Sequence, residues 1–310
     1  MTTQPILIKN QWSVRPAEDS FGPENPSTGE PLGETYPVSG LSTLLAMAEH
    51  AHQAAEDLNH CPPDQIGAFL ETHADLIDKR RDEIAQMAHL ETGLSFQTRL
   101  REIEMDRTID QLRQAAECVR SRDWVSARID TKLDLRSMYE PLGGAVLTIG
   151  PNNFPLAYNG VAGGDFAAAI AARNPIIAKA HPLHPGTTRL LAQCAHDAAA
   201  HADLPSGSVQ MFYHCKPDDG LELIKSQHVG AVGFTGSQRV GLELKRAADA
   251  TGTPIYLELS SINPMFLLPG ALDARCDEMA EMISESLLAA SGQQCTCPGL
   301  IVVPERPSGV

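Results

Sequence analysis

From Tyr139 onward the chain alternates short apolar runs with stretches of helical spacing, and this alternation constrains the fold more than any other feature. It predicts strands at 144–149, 175–180, 208–212, 229–234 and 254–259, separated by helices near 156–172, 186–201, 218–226 and 237–249. Near-continuous apolar strands separated by helices of that length belong to a parallel sheet covered on both faces. The expected fold class is therefore α/β, with a doubly wound parallel sheet. Ligands of such sheets sit at the carboxyl ends of the strands.

The rest of the chain is organised around that unit. Residues 1–40 are rich in Pro, Gly, Ser and Thr, and Asn25 to Glu30 reads as a turn. From Leu41 to about Arg120 apolar residues recur at helical spacing, with Gly93 a helix stop after Leu90-Glu91-Thr92. Thr98 to Arg122 carries dense opposite charges (Arg99, Arg101, Glu102, Glu104, Asp106, Arg107), read mostly as a solvated face. Thr131 to Ser137 alternates polar and apolar residues, as a strand outside the main sheet would. After Ile301 a strand begins and gives way to a turn-like tail ending at Val310.

Composition narrows the class. With 24 basic and 39 acidic residues the formal charge is −15, which argues against nucleic acid and anionic membrane as partners. Apolar stretches break before the roughly 18 residues of a membrane span, and Met1 to Asp19 has no basic start followed by an apolar core. Seven cysteines without regular spacing suit a reducing compartment, so the expected location is the cytoplasm.

Several residues can carry chemistry. Cys295 lies in Ser291-Gly292-Gln293-Gln294-Cys295-Thr296-Cys297-Pro298-Gly299, after a helical run ending near Ala290. A cysteine in a Gly-flanked turn beside backbone amides can be exposed and partly ionised, as a nucleophile must be. It can equally be a buried structural thiol. A metal pair with Cys297 is disfavoured because no further Cys or His lies nearby in sequence, and no metal is expected. Glu258 closes the strand Tyr256-Leu257-Glu258-Leu259, placed either for general-base work or as a sheet-end cap. Asn153, in Gly150-Pro151-Asn152-Asn153-Phe154-Pro155, can donate to an oxyanion or serve turn chemistry. Gly236 and Ser237, in Phe234-Thr235-Gly236-Ser237, suit a phosphate or a plain helix cap. Lys179 ends its strand as a ribose or phosphate contact or as an exposed lysine. No Gly-x-Gly-x-x-Gly fingerprint and no Walker loop occur.

In their order and spacing, these pieces resemble the aldehyde dehydrogenase superfamily. The closer resemblance is to the branch of ketoglutarate semialdehyde (2,5-dioxopentanoate) dehydrogenases and NADP-dependent fatty-aldehyde dehydrogenases. It is carried by Asn153 to Leu156, Gly163-Gly164-Asp165, Lys179 to Pro182 with His184 to Thr187, Glu258 to Pro264, His89 to Gly93, and Gln111 to Arg113. The resemblance implies that Cys295 attacks the aldehyde carbon, Asn153 and the Cys295 N–H hold the oxyanion, and Glu258 activates the water that hydrolyses the thioester. It further implies an NAD or NADP cofactor held by Lys179, Gly236, Ser237, Pro151 and Phe154, a small aldehyde as substrate, and a homo-oligomer for the full-length chain.

Departures from the family pattern refine these expectations. Pro182 stands where many members carry a glutamate that grips the ribose hydroxyls, so NADP is tolerated and favoured over NAD. Gln294 and Cys297 replace an aromatic and an asparagine, and an oxidised Cys295–Cys297 off-state follows if their geometry permits. Arg173 stands where a glycine usually ends a helix. The family's chains continue further, so residues 1–262 are expected to form N-terminal helices plus the NAD(P)-binding domain, with part of an oligomerisation strand near 128–140. Residues 263–310 are then only the beginning of the catalytic domain. Three rivals stand beside the 2,5-dioxopentanoate reading: a non-catalytic fragment that keeps dinucleotide affinity, a fatty-aldehyde dehydrogenase and, more remotely, a cysteine hydrolase.

Overall fold

The computed structural model describes residues 3–305. The chain opens with a short hairpin, β1 (Ile6–Ile8) and β2 (Gln11–Ser13), followed by the antiparallel pair β3 (Ala17–Phe21) and β4 (Tyr36–Ser39). Four helices follow: α1 (Leu41–His60), α2 (Pro63–Lys79), α3 (Arg81–Thr92) and α4 (Met105–Ser121). A π-helical segment, Phe96–Glu104, runs directly into α4. Their apolar stripes bury Leu44, Phe69, Leu70, Ile84 and Leu112 completely. Gly93 ends α3 with φ +70°, the left-handed conformation that favours glycine.

The exposed hairpin β5 (Arg128–Asp130) and β6 (Leu135–Ser137) stands outside the main sheet as expected, but of the single strand expected over 131–137 only 135–137 is extended, residues 131–134 forming the turn of the hairpin. The α/β unit comprises β7 (Ala145–Ile149), α5 (Gly164–Ala171), β8 (Ile176–Lys179), α6 (Pro185–His201), β9 (Val209–Phe212), α7 (Pro217–Ile224), β10 (Val229–Gly236), α8 (Gln238–Thr251) and β11 (Ile255–Leu259). Then come β12 (Asn263–Phe266), α9 (Pro269–Leu288) and β13 (Pro298–Val302), with β12 and β13 paired in parallel. Part of the tail after Ile301, residues 306–310, lies outside the described residues.

The main sheet has the order β11-β10-β7-β8-β9-β1-β2, and β7 to β11 are all parallel. The chain builds outward from β7 in one direction through β8 and β9, then crosses to place β10 on its other side. Order therefore reverses at β7, which opens a crevice at the carboxyl ends of β7, β8 and β10.

The expected parallel sheet stands, and it is extended on one side, where Leu7 of β1 pairs antiparallel with Met211 of β9. A three-residue apolar run in a Pro- and Gly-rich stretch is too short to show a period. The helix expected from 156 begins only at Gly164. Buried Asn159 ties the preceding turn together, donating to Pro155 O (2.8 Å) and Thr188 Oγ1 (3.0 Å) and accepting from Val161 N (3.2 Å). A Cβ on Gly163 would meet the Tyr158 and Asn159 backbone at 2.7–2.8 Å, so the chain turns there as only glycine can.

Arg173 has a physical account. It takes φ +63° where α5 runs out, a position that suits glycine, and its guanidinium donates to Asn59 O near the end of α1 at 2.7 Å. Among the described residues no helix is long and apolar enough to cross a membrane.

Candidate active site

The crevice begins where β7 ends. Gly150 is required there, since a Cβ would lie 2.2 Å from Tyr158 O. Pro151 follows, its carbonyl accepting from His184 Nε2 at 3.0 Å. The next residues are hung from the π-helical segment. Glu104 is 1% exposed and accepts the N–H groups of Leu156 (2.8 Å) and Ala157 (3.1 Å). Arg99 lies 3.5 Å from Glu104, donates to Asn153 O at 3.2 Å and stacks 3.9 Å above the Phe154 ring. Burial pushes the Glu104 carboxyl up to about 7, against the pull of those N–H groups and Arg99.

Part of the supposed solvated face is thus an interior clamp. Glu104 and Arg99 are drawn inward because the turn after Asn153 leaves backbone donors and a carbonyl that need partners.

The second wall comes from the far end of the chain. Glu258 sits in β11 opposite Thr235 of β10. Cys295 follows α9 and a tight turn whose residues Ala290, Ser291 and Gly292 all have positive φ. Asn263 holds this loop from β12, donating to Cys295 O (2.7 Å) and Cys297 O (3.0 Å), and Ser261 Oγ donates to Cys295 O at 2.9 Å. Asn153 Nδ2 donates to the Gln293 carbonyl and so joins the two walls.

Burial, followed by a hydrogen bond to the Glu258 carboxylate, pushes the Cys295 thiol above its ordinary range. The resting thiol is therefore neutral, with a carboxylate in place to take its proton. The Cys297 thiol points elsewhere, donating to Ser286 O at 3.4 Å, and the two sulfurs are unbridged.

A cavity of about 380 Å³ gathers these groups: Asn153, Glu258 and Cys295 line it together with Gln294, Gly236 and Ser237. A larger one of about 480 Å³ lies beside it and includes Lys179, Phe212 and Phe234. Pro151, Asn152, Thr235, Gly236 and Ser237 line both. Ser237 caps α8, its Oγ accepting from Val240 N at 3.4 Å. Lys179 is deeply set, donates only to Ala180 O (3.2 Å), and has no carboxylate partner among the described residues. An elongated ligand with anionic groups fits this pair of cavities, which join an uncompensated cation, a helix start and an apolar slot.

Of the sequence-predicted positions, Cys295, Glu258, Asn153, Pro151, Gly236, Ser237 and Lys179 all line this space. Phe154 lines neither cavity. Its ring lies under Arg99 and edge-on to Tyr158, 5.2 Å between centroids, so its place is in the clamp. Arg99, Glu104, Ser261 and Asn263 are the positioning residues that sequence reasoning missed. The available signal was that Ser261 and Asn263 fall in the quoted Glu258 to Pro264 segment. No group of three or more His, Cys, Asp or Glu among the described residues is placed to hold a metal.

A thiol–carboxylate pair facing an amide thus lies beside an elongated crevice at the carboxyl ends of a doubly wound sheet, the arrangement of an α/β enzyme-like site. Residues 13–308 match the aldehyde dehydrogenase family, and the chain belongs to that family. Among its relatives are alpha-ketoglutaric semialdehyde dehydrogenase 2 of Azospirillum brasilense, 38% identical over 295 residues, and alpha-ketoglutaric semialdehyde dehydrogenase of Acinetobacter baylyi, 35% identical over 295 residues. These alignments cover 91% and 92% of this chain and 55% of each relative, so the chain spans about half the length of the curated relatives it matches. In fold it is similar to aldehyde dehydrogenase C of Pseudomonas syringae, solved with NAD+ and octanal. The TM-score is 0.83 at 24% identity, covering 97% of this chain and 59% of that one.

Proposed function

We propose that this chain carries the nucleophile, the base and the dinucleotide site of an NAD(P)-dependent oxidation of an aldehyde to a carboxylate. The substrate class is a ketoglutarate-type semialdehyde such as 2,5-dioxopentanoate. What supports the reading is one observation: Cys295, Glu258 and Asn153 line a cavity continuous with the one that holds Lys179, through shared residues Pro151, Gly236 and Ser237. The names of the two relatives support the substrate class.

Each residue has a chemical task. Glu258 takes the Cys295 proton, and the thiolate adds to the aldehyde carbon to give a thiohemiacetal. One Asn153 N–H and the Cys295 backbone N–H hold the resulting oxyanion, a donor of this kind being worth about 2.7–4 kcal/mol. Lys179 and the Gly236-Ser237 helix start would hold the dinucleotide, which would supply the acceptor for the hydride that the thiohemiacetal carbon loses in becoming a thioester on Cys295. Once Glu258 has released that first proton to solvent, it accepts a second from the water that hydrolyses the thioester, and the carboxylate product leaves with the Cys295 thiolate restored. Pro182, which lines the larger cavity and carries no charge, favours NADP over NAD.

By the same reading, residues 1–262 are the cofactor-binding part, with the β5–β6 hairpin a subunit-pairing arm, and residue 263 onward begins the catalytic domain. A second reading, dinucleotide binding without turnover, is favoured by the scant burial of residues 260–305, where Pro298 alone is buried.

Rapid mixing of the NADP-loaded chain with 2,5-dioxopentanoate separates the two. The first reading expects a stoichiometric rise of NADPH absorbance, absent in Cys295→Ala, with an acyl adduct on Cys295 accumulating in Glu258→Gln. Tight NADP binding with no NADPH and no adduct would leave only the second.

A further inference from the structure

The basic end of the larger cavity is unusual in what faces it. Lys179 and His181 enter it from the end of β8, and His214 from the end of β9. Lys179 lacks a carboxylate partner among the described residues, and His214 Nδ1 is buried without a hydrogen bond. His181 Nδ1 accepts Leu183 N–H at 3.2 Å, which puts the proton of the neutral ring on Nε2. His184 stacks on His181 with centroids 5.3 Å apart and spends its Nε2 on Pro151 O.

The remaining charged and titratable groups do not offset this cluster. Cys215 is a thiol pushed up to about 11 by burial, with Asp219 of α7 beyond it. Arg239 and Glu243 of α8 pair with each other at 3.4 Å, and Lys216 pairs with Glu18 at 2.7 Å, outside the lining. No carboxylate among the lining residues faces the cluster unpaired.

Resting on the dinucleotide reading of this cavity, we propose that His181 and His214, beside Lys179, form a proton-coupled subsite for a phosphate monoester. A dinucleotide carrying such a phosphate on its adenosine ribose is bound here together with a proton, and the unphosphorylated dinucleotide is not.

The physical argument is one of exchanged neighbours. Without ligand, burial pulls the two rings and Lys179 below their ordinary values, and His181 falls to about 3 because burial, His184, Lys179 and His214 all oppose its charge. A phosphate monoester brings close to two negative charges at neutral pH. Those charges reverse the balance that keeps the imidazoles neutral, and each ring that protonates gains a charge-assisted hydrogen bond. No bond is made or broken, and the proton comes from solvent. By linkage, affinity for the phosphorylated ligand then falls about tenfold per pH unit for each proton taken up, across the range in which the rings are neutral when free and charged when bound.

Titration calorimetry of the whole chain tests this with 2′,5′-ADP against 5′-ADP, and with NADP against NAD. Each pair is measured in buffers of different ionisation enthalpy between pH 6 and 8.5. The expected result is an uptake of about one proton more for the 2′-phosphorylated member of each pair. Its affinity advantage should shrink by about tenfold per pH unit, and both effects should weaken in His181→Gln and in His214→Gln. Equal proton counts in the wild-type chain overturn the proposal without needing any variant, and leave the dinucleotide reading intact. Failure of all four ligands to bind overturns that reading and the subsite together.

Discussion

Residues 3–259 and residues 260–305 both line the same cavity, yet they are built on different physical terms. The first stretch closes a continuous apolar core through α1 to α8 and the seven-stranded sheet. The second has β12, α9 and β13, of which α9 buries no residue, and it exposes Phe266, Leu268, Leu288 and Val303. The nucleophile candidate belongs to the thin part, and the candidate base and oxyanion donor to the thick one. The relative position of Cys295 thus rests on a few polar ties, Asn153 to Gln293 O, Ser261 to Cys295 O and Asn263 to both Cys carbonyls, more than on packing.

The sharpest way to break this contrast is a pair of truncations. Phe69→Ala removes a fully buried ring from between α2 and its neighbours, where the expected loss is about 3–5 kcal/mol. Leu300→Ala in β13 removes a side chain that is 52% exposed, with an expected change within about 0.5 kcal/mol. Urea unfolding reads both. Comparable losses in the two variants would show that residues 260–305 are packed far better than their exposure indicates.

A second test uses the buried titrating groups, all of which lie in the thick part. Burial holds His73 and His181 at about 3 and His184 at about 4, below the ordinary imidazole value. Their unfolded forms bind protons first, so they contribute stability above pH 6.5 that is lost as pH falls through the folded values. Glu91 and Glu104 are pushed up to about 7 by burial, so the folded chain holds their protons longer and their contribution falls as pH rises from 4.5 to 7. The two carboxyls offset two of the three imidazoles between pH 4.5 and 6.5, and below 4.5 the histidines act alone. Stability should therefore decline gently from pH 6.5 to about 4.5 and drop steeply beneath it. Glu104→Gln should tilt the profile upward with pH between 4.5 and 7 by about 1.4 kcal/mol per unit. An unchanged slope would mean that the folded chain does not hold the Glu104 proton.

The ties within residues 260–305 predict a smaller, local effect. Asn263→Ala frees the Cys297 carbonyl and leaves Ser261 as the side-chain donor to the Cys295 carbonyl, at a cost of about 1 kcal/mol confined to the loop. Amide exchange at residues 293–297 should quicken several-fold while exchange in β7 and β8 stays as it was. Equal protection in the variant would show that packing holds the loop.

The contrast also explains what could be read from the sequence. The five parallel strands are legible to within a residue or two at most ends, because a buried strand must be apolar along its length. Cys295, Glu258 and Asn153 are legible as candidates because each ends an element beside a turn. The edge pairing of Ile6–Ile8 with β9 is not, since its partner lies some two hundred residues away and a three-residue run has no period. Glu104 is hidden for a different reason. In a row of alternating charges nothing local distinguishes the carboxylate that turns inward to two backbone N–H groups from those that stay in water. Glu91 is the same case: it serves the start of α6 at Gly186 N (2.7 Å) and Thr187 N (2.8 Å) from a helix far earlier in the chain.

Arg173 gives the finest test, because two effects of similar size oppose each other at one residue of the thick part. Its left-handed backbone costs a non-glycine residue roughly 1–2 kcal/mol. The guanidinium bond to Asn59 O returns about 0.5–1.5 kcal/mol. Arg173→Gly removes the strain and the bond together, and adds about 0.5–1 kcal/mol of unfolded-state entropy to be overcome. The net change should lie within about 1 kcal/mol of zero. Arg173→Ala keeps the strain and loses the bond, so it should be the less stable variant by about 1 kcal/mol, read as the difference in urea midpoint at constant slope. If alanine proves equal to glycine, the left-handed turn carries no strain for a residue with a Cβ, and the contact to Asn59 O has nothing to offset.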